Sequence, residues 1–215
     1  MPEIIAVDGP AASGKSTTAK KIASELSFEY LDTGAMYRAS AFLVSASGID
    51  LQDGQAAAAF LSDHSIDVSS KGIFVDGEDI SGSIRTAAAG EAASIISAHR
   101  PVREYMVSLQ RAFGEKHNTV AEGRDMGTVV FPDASLKVYV VADIAIRAWR
   151  RLRDLNQDDM DSMVHAVFRR DFRDRNRLES PLRLPPGALW LDGTSMSVNE
   201  QVNFVLNHYR GKCGK

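Results

Sequence analysis

Residues 4–26 constrain the fold more than any other stretch of the chain. Ile4-Ile5-Ala6-Val7 is a short apolar run suited to a buried strand. Gly9-Pro10-Ala11-Ala12-Ser13-Gly14-Lys15-Ser16 is a glycine-punctuated loop, and residues 17–26 read as a helix. A strand that passes straight into a helix through such a loop sets the start of an α/β layer structure. The loop also carries chemistry. Its glycines let successive backbone N–H groups turn toward one anion, and the helix N-terminus adds partial positive charge. The pattern Gly-x-x-x-x-Gly-Lys-Ser in this setting predicts a nucleoside triphosphate site. Gly9, Pro10, Ala11, Ala12, Ser13, Gly14, Lys15, Ser16 and Thr17 would build it, with Lys15 reaching the β- and γ-phosphates and the Ser16 hydroxyl helping to hold Mg²⁺. A glycine-rich turn that binds nothing is the alternative, and the flanking strand and helix weigh against it.

The rest of the chain continues the alternation. Strands are predicted at 28–31, 119–122, 136–141 and 189–191, and helices at 35–46, 55–61, 87–98, 101–113, 144–155, 163–176 and 198–209. Strands that are mostly apolar and separated by helices form a parallel sheet covered on both faces. Residues 65–84 break the rhythm. Ile66-Asp67-Val68, Lys71-Gly72, Ile73-Phe74-Val75 and Asp76-Gly77 alternate and turn, which predicts a small antiparallel sheet in an inserted lobe. Ligands of parallel sheets bind beyond the carboxyl ends of the strands. The polar turns 9–16, 32–34, 123–127 and 192–194 all follow strands and meet at that edge.

Composition excludes several classes. With 215 residues, 44% of them hydrophobic, the chain can bury a full core. No window holds 18 uninterrupted apolar residues, so no membrane-spanning helix is expected. The sequence enters a strand without a charged leader and apolar signal region, so no export signal is expected, and the lone Cys213 suits a reducing cytoplasm. His64, His99, His117, His165 and His208 show no metal-ligand spacing, so a protein-built zinc site is not expected. No coiled-coil heptads occur, and a monomer is expected. The net charge of −3 argues against binding a nucleic acid polymer. Yet nine of the 17 arginines fall between Arg147 and Arg177, against eight lysines in the whole chain. Arginine makes fork-like contacts to phosphate. Some of this run should pair with Asp154, Asp158, Asp159, Asp161, Asp171 and Asp174, leaving three or four arginines for a ligand.

Two further arginines stand just past strand ends, in Asp32-Thr33-Gly34-Ala35-Met36-Tyr37-Arg38 and Glu122-Gly123-Arg124-Asp125-Met126-Gly127-Thr128. Either alone could pair with a local acid at the surface; together with the arginine run they favour an anion site. These stretches carry a resemblance. With Asp8-Gly9-Pro10, Gly82-x-Ile84-Arg85, Val102-Arg103-Glu104, the string 123–133 and Arg173-Asp174-Arg175-Asn176-Arg177, the chain resembles the bacterial cytidylate kinases across nearly its whole length.

That resemblance implies a P-loop kinase with a five-stranded parallel sheet covered by helices, an inserted nucleoside-monophosphate lobe with a small antiparallel sheet, and a short mobile lid. The core would comprise 1–35, 91–152 and 180–215, the inserted lobe 36–90, and the lid 153–179. It implies transfer of the ATP γ-phosphoryl group to CMP or dCMP, with Mg²⁺. Ser94, Arg103 and Asp125 would face cytosine, and Arg170 and Asp174 the sugar. Arg38, Arg124 and Arg177 would hold the acceptor phosphate and the transferring group, with Thr33 and Tyr37 also at the acceptor. Lys15, Arg124 and Arg177 would be catalytic. One departure is Ile146, where relatives often carry an acid before the arginine corresponding to Arg147; it leaves Asp143-Ile144-Ala145-Ile146 unusually apolar for a helix start. Rival readings are a P-loop kinase for UMP, AMP, shikimate or dephospho-coenzyme A, a nucleotide switch, and a catalytically dead module. The hairpin insert and 123–133 disfavour the first group. No Asn-Lys-x-Asp exists for a guanine-reading switch, and Asp79-Ile80-Ser81-Gly82 matches Asp-x-x-Gly only inside the hairpin region.

Overall fold

β1 (Ile4–Asp8) has four of its five residues fully shielded from solvent, and its neighbours divide by parity. Ile5 and Val7 join one apolar cluster with Val120, Val138, Val140 and Leu191, whereas Ala6 joins another with Leu31 and Ala121. A strand buried on both sides needs a layer of helices on each. The structure, a computed structural model, describes residues 2–69, 72–84 and 86–213. Lys71 of the Lys71-Gly72 turn and Arg85 of Gly82-x-Ile84-Arg85 lie outside the described residues.

Among the described residues, β1, β2 (Glu29–Asp32), β6 (Thr119–Gly123), β7 (Leu136–Val141) and β8 (Leu189–Asp192) form a five-stranded sheet in the order β2-β6-β1-β7-β8, every pairing parallel. Helices α1 (Lys15–Leu26) and α8 (Val198–Cys213) cover the Ile5/Val7 face through Ala19, Ile22, Val202, Val205 and Leu206. Helices α2 (Thr33–Ala46), α4 (Ala87–Ile96) and α5 (Arg100–Gly114) cover the other, through Ala35, Met36, Ala39, Ala93, Ile96, Val102 and Met106. Fully burying each larger aliphatic chain is worth ~1.5–3 kcal/mol, so these two faces supply the main stabilisation. The sheet thus has the expected class and strand count.

The expected antiparallel piece is present as β3 (Ile66–Ser69), β4 (Gly72–Val75) and β5 (Glu78–Asp79). Asp76 and Gly77, with φ of 50° and 86°, make the two-residue turn between β4 and β5, and a turn with both central φ values positive matches the twist of a hairpin. Ile66, Val75, Ile80 and Ile84 of this region, beside α3 (Gly54–Ser62), bury into the same cluster as Leu31 and Ala35. Ile80 of Asp79-Ile80-Ser81-Gly82 is therefore a core residue of this lobe. Helices α6 (Ile144–Leu155) and α7 (Met160–Asn176) form a hairpin with its own small cluster, Ala148, Leu152, Met163 and Val167.

Helix starts differ where side chains cap them. α2 begins at Thr33 because the Asp32 carboxylate accepts from the Ala35 amide at 2.8 Å. α7 begins at Met160, ahead of the expected start at 163, because Asp159 accepts from the Ser162 amide at 3.0 Å. The turn after β6 is more regular than expected. Met126–Val130 forms a π turn, with the Val130 amide donating to the Asp125 carbonyl at 3.1 Å and the Phe131 amide to Met126 at 2.7 Å. Among the described residues no helix is long and apolar enough to cross a membrane.

Candidate functional site

The glycine-rich loop follows the central strand, and its shape is set from outside. A Cβ on Gly9 would stand 2.2 Å from the Val140 carbonyl oxygen, so the close passage of β1 beside β7 admits only glycine. Gly14, at φ 95°, opens α1. Two arginines of α6 and one acid of α7 then fix the loop. The Ala11 amide donates to Asp171 Oδ1 at 3.0 Å, and the Ala11 carbonyl accepts from Arg147 Nη1 at 3.1 Å. Arg147 also donates to Asp171 Oδ2 at 2.5 Å and, through Nε, to the Ala142 carbonyl at 2.9 Å. Arg150 donates to the Ser13 and Gly193 carbonyls at 3.1 and 2.8 Å. Behind the loop, Gln201 accepts from the Thr18 hydroxyl at 2.9 Å and donates to the Met196 carbonyl at 3.0 Å. The apolar start of α6 needs no acid at position 146, because Asp143 accepts from the Ala145 amide at 2.8 Å. Arg147 is thus buried against the phosphate loop. Arg150, Asp171 and Gln201 carried no local pattern that would single them out.

Lys15 is buried and lies among opposed charges. Its Nζ donates to the Pro10 carbonyl at 3.2 Å and stands 3.9 Å from Glu122 Oε2. Burial, reinforced by the neighbouring Arg124, pushes its ammonium down to about 7. A charge so poorly solvated is ready for an anion. Burial also raises the Asp32 carboxyl, with Glu122 adding to the effect. Asp32 faces Arg38 at 3.4 Å, Tyr30 donates to Glu122 Oε1 at 3.1 Å, and the Thr33 hydroxyl donates to the Glu122 carbonyl at 2.7 Å.

Lys15 and Ser16, with Ala11 and Ala12, open onto a cavity of about 410 Å³. Its far wall holds a second charged group. Arg103, buried on α5, donates to Asp125 and to the Ser97 carbonyl, with its guanidinium 5.4 Å over the Tyr37 ring. Asp125 Oδ1 lies 3.7 Å from Arg177, which donates to the Ser180 carbonyl at 2.8 Å. Between the two walls, Arg124 donates to Asp174 at 2.7 Å. Burial would raise the Asp174 carboxyl, but Arg124, Arg170 and Arg177 overcome it and hold it below its ordinary range. Burial and the nearby Arg124 push Arg170 down to about 10. The Ser94 hydroxyl and the Nε atoms of Arg103 and Arg170 are buried without a protein partner.

The ten residues expected at the acceptor, Thr33, Tyr37, Arg38, Ser94, Arg103, Arg124, Asp125, Arg170, Asp174 and Arg177, all line this one cavity. Gly9, Pro10, Ser13, Gly14 and Thr17 stand behind it, in the loop and first helical turn. Of the nine clustered arginines, Arg151, Arg170 and Arg177 reach the cavity; Arg147 and Arg150 grip the loop, Arg173 pairs with Glu91, and Arg153 lies over the Trp149 ring. Oxygen donors suited to a hard cation also line the cavity: the Ser16 hydroxyl and the Asp32 and Glu122 carboxylates. Among the described residues no group of three or more His, Cys, Asp or Glu is arranged to hold a metal. The donor set fits a hard cation such as Mg²⁺ shared with phosphate oxygens.

A glycine loop after the central strand of such a sheet places the molecule among the P-loop kinases in fold. A gluconokinase from Sinorhizobium meliloti 1021 superposes with a TM-score of 0.52 at 14% identity, covering 98% of this chain and 93% of that one. An uncharacterized protein from Eubacterium ventriosum ATCC 27560 gives 0.55 at 12%, covering 96% and 98%. Sequence is more specific: residues 5–211 match the family described as Cytidylate kinase, and the chain belongs to that family. It is 43% identical over 211 residues to a cytidylate kinase of Ralstonia nicotianae, covering 96% of this chain and 92% of the relative. It is 42% identical over 218 residues to one of Geobacillus kaustophilus, covering 98% and 97%.

Proposed function

We propose that this protein transfers the γ-phosphoryl group of ATP to CMP or dCMP, giving ADP with CDP or dCDP. The observation that carries the reading is the buried Arg103–Asp125 pair in the same cavity as Lys15. It supports reading one part of the cavity as a reader for a polar heterocycle and another as a phosphate cradle. Asp125 accepts from the exocyclic amine of cytosine, and Arg103 and the unpartnered Ser94 hydroxyl serve its carbonyl and ring nitrogen. Tyr37 supports Arg103 from below, and Thr33 lines the acceptor cavity. Arg170 and Asp174 address the sugar. Arg38, Arg124 and Arg177 hold the acceptor phosphate. An oxygen of that phosphate attacks the γ-phosphorus as the bond to the β-bridging oxygen breaks. The acceptor is already anionic, so no strong general base is needed, and positioning with charge stabilisation dominates. Lys15, Arg124 and Arg177 draw charge off the transferring group.

Ser16, with the nucleotide phosphates, would hold Mg²⁺. When bound, that ion neutralises phosphate charge. UMP presents a carbonyl where cytosine has its amine, setting two acceptors face to face, and is therefore a poor substrate. We assign 36–90 to the acceptor lobe, 153–179 to a lid that excludes water on closing, and 1–35, 91–152 and 180–215 to the core, and we take the protein to act as a cytoplasmic monomer.

The test is ADP formation by purified protein with ATP and Mg²⁺ across CMP, dCMP, UMP, AMP, GMP, shikimate and dephospho-coenzyme A. Strong turnover with CMP and dCMP, weak with UMP and absent elsewhere, is expected. Preference for another acceptor would overturn the assignment of Asp125, and ATP binding without any acceptor-dependent turnover would overturn the kinase.

A further inference from the structure

Asp8 ends β1, is fully buried, and has no part in the transfer step described above. Its two carboxylate oxygens accept from the Met126 and Gly127 amides, each at 2.8 Å, from far away in the sequence. These are the first two N–H groups of the π turn, which have no partner inside it; a side chain at the capping position ordinarily reaches the second or third such amide, here that of Gly127 or Thr128. That position is held by Asp125, a residue type well suited to the task. Yet Asp125 makes no capping bond. Its carboxylate is turned into the cavity instead, onto Arg103 and toward Arg177.

We infer that Asp8 is a positioning residue, capping the π turn from the phosphate-loop strand so that the Asp125 carboxylate is free to read the acceptor. The arrangement rests on the function proposed above. It has a second effect. Gly9, the next residue, begins the loop that leads to Lys15, while Arg124 and Asp125 immediately precede the capped amides. One buried carboxylate therefore fixes the spacing between the donor cradle and the acceptor reader, without touching either nucleotide. Turns of this π kind cluster at functional sites, and here the turn is held by a side chain from a different strand.

Asp8→Asn tests this in the full-length protein. It preserves shape but leaves one acceptor oxygen and turns an N–H donor toward the second amide. The KM for CMP should rise about tenfold, the KM for ATP should stay within about twofold, and the preference for CMP over UMP in kcat/KM should shrink. A merely structural role would raise both KM values together. That result, or no change in either, would overturn the inference. If the variant does not fold, hydrogen exchange in the wild-type protein decides. The Met126 and Gly127 amides should exchange slowly without substrate and little more slowly with CMP. Fast exchange that slows only on adding CMP would mean the acceptor itself builds the turn, and the inference fails. Wild-type protein that turns over no CMP would instead sink the proposed function, leaving exchange at these two amides to decide the cap alone.

Discussion

Lys15 is held where its charge is poorly supported, and that has a measurable consequence. With burial pushing it down to about 7, Lys15 should be mostly neutral in the free protein at pH 8. Nucleotide phosphates favour the ammonium form and raise its pKa, so ATP binding at pH 8 should take up a proton, approaching one per site. Calorimetry in buffers of different ionisation enthalpy reads this directly, and the uptake should vanish in Lys15→Met. On the acceptor side, Asp125→Asn removes a charged acceptor and leaves Arg103 buried without its charged partner. A fall of roughly 10²-fold in kcat/KM for CMP is expected, with a smaller fall for UMP; steady-state kinetics with both acceptors checks it. Residues such as Lys15 and Arg124 were legible because they sit in glycine-punctuated turns next to strands. Asp171 was expected among the acids pairing with the arginine run, and it does pair with Arg147; its bond to the Ala11 amide and the bonds of Asp8 to Met126 and Gly127 were not legible, because those amides lie more than a hundred residues away and neither spacing nor composition encodes that distance.

Among the elements, the α6–α7 hairpin does two jobs that the sequence showed only as a density of arginine. Its inner side grips the phosphate loop through Arg147 and Asp171, both buried. Its outer side reaches α4 through Arg173 and Glu91, both substantially exposed. Magnitudes separate the two. Asp171→Asn should raise the KM for ATP about tenfold, because the Ala11 amide and Arg147 both lose a charged partner, while the KM for CMP stays nearly unchanged. Arg173→Ala should alter unfolding free energy by less than ~1 kcal/mol, as exposed pairs do; denaturant melts distinguish these. Helix and strand identities were legible from periodicity and from the glycine-punctuated turns between elements. The earlier starts of α2 and α7 were missed because Asp32 and Asp159 read as loop residues until their carboxylates are seen capping. The π turn was invisible because nothing local requires it; its first amides are satisfied by β1.

At the scale of the molecule, the three apolar clusters predict where it opens. The hairpin's cluster, Ala148, Leu152, Met163 and Val167, is small beside the two that clad the sheet. Amides of α6 and α7 should therefore exchange faster than those of β1 and β6 in the free protein, and ATP with CMP together should slow them most. Exchange in the hairpin as slow as in the central strands would argue against a moving lid. The antiparallel sheet is a different case. The alternating, turning pattern of residues 65–84 marked it as an insert, but Ile66, Val75 and Ile80 close the same core that covers Ala6 and Ala121. Among the described residues, the region assigned to the acceptor lobe shares one apolar core with the sheet. A lobe transplanted from a kinase of other specificity would cut through the central core and leave mismatched volumes on both sides. Redirecting this scaffold to a new acceptor is thus a matter of recutting the cavity wall side chain by side chain, not of exchanging a cassette.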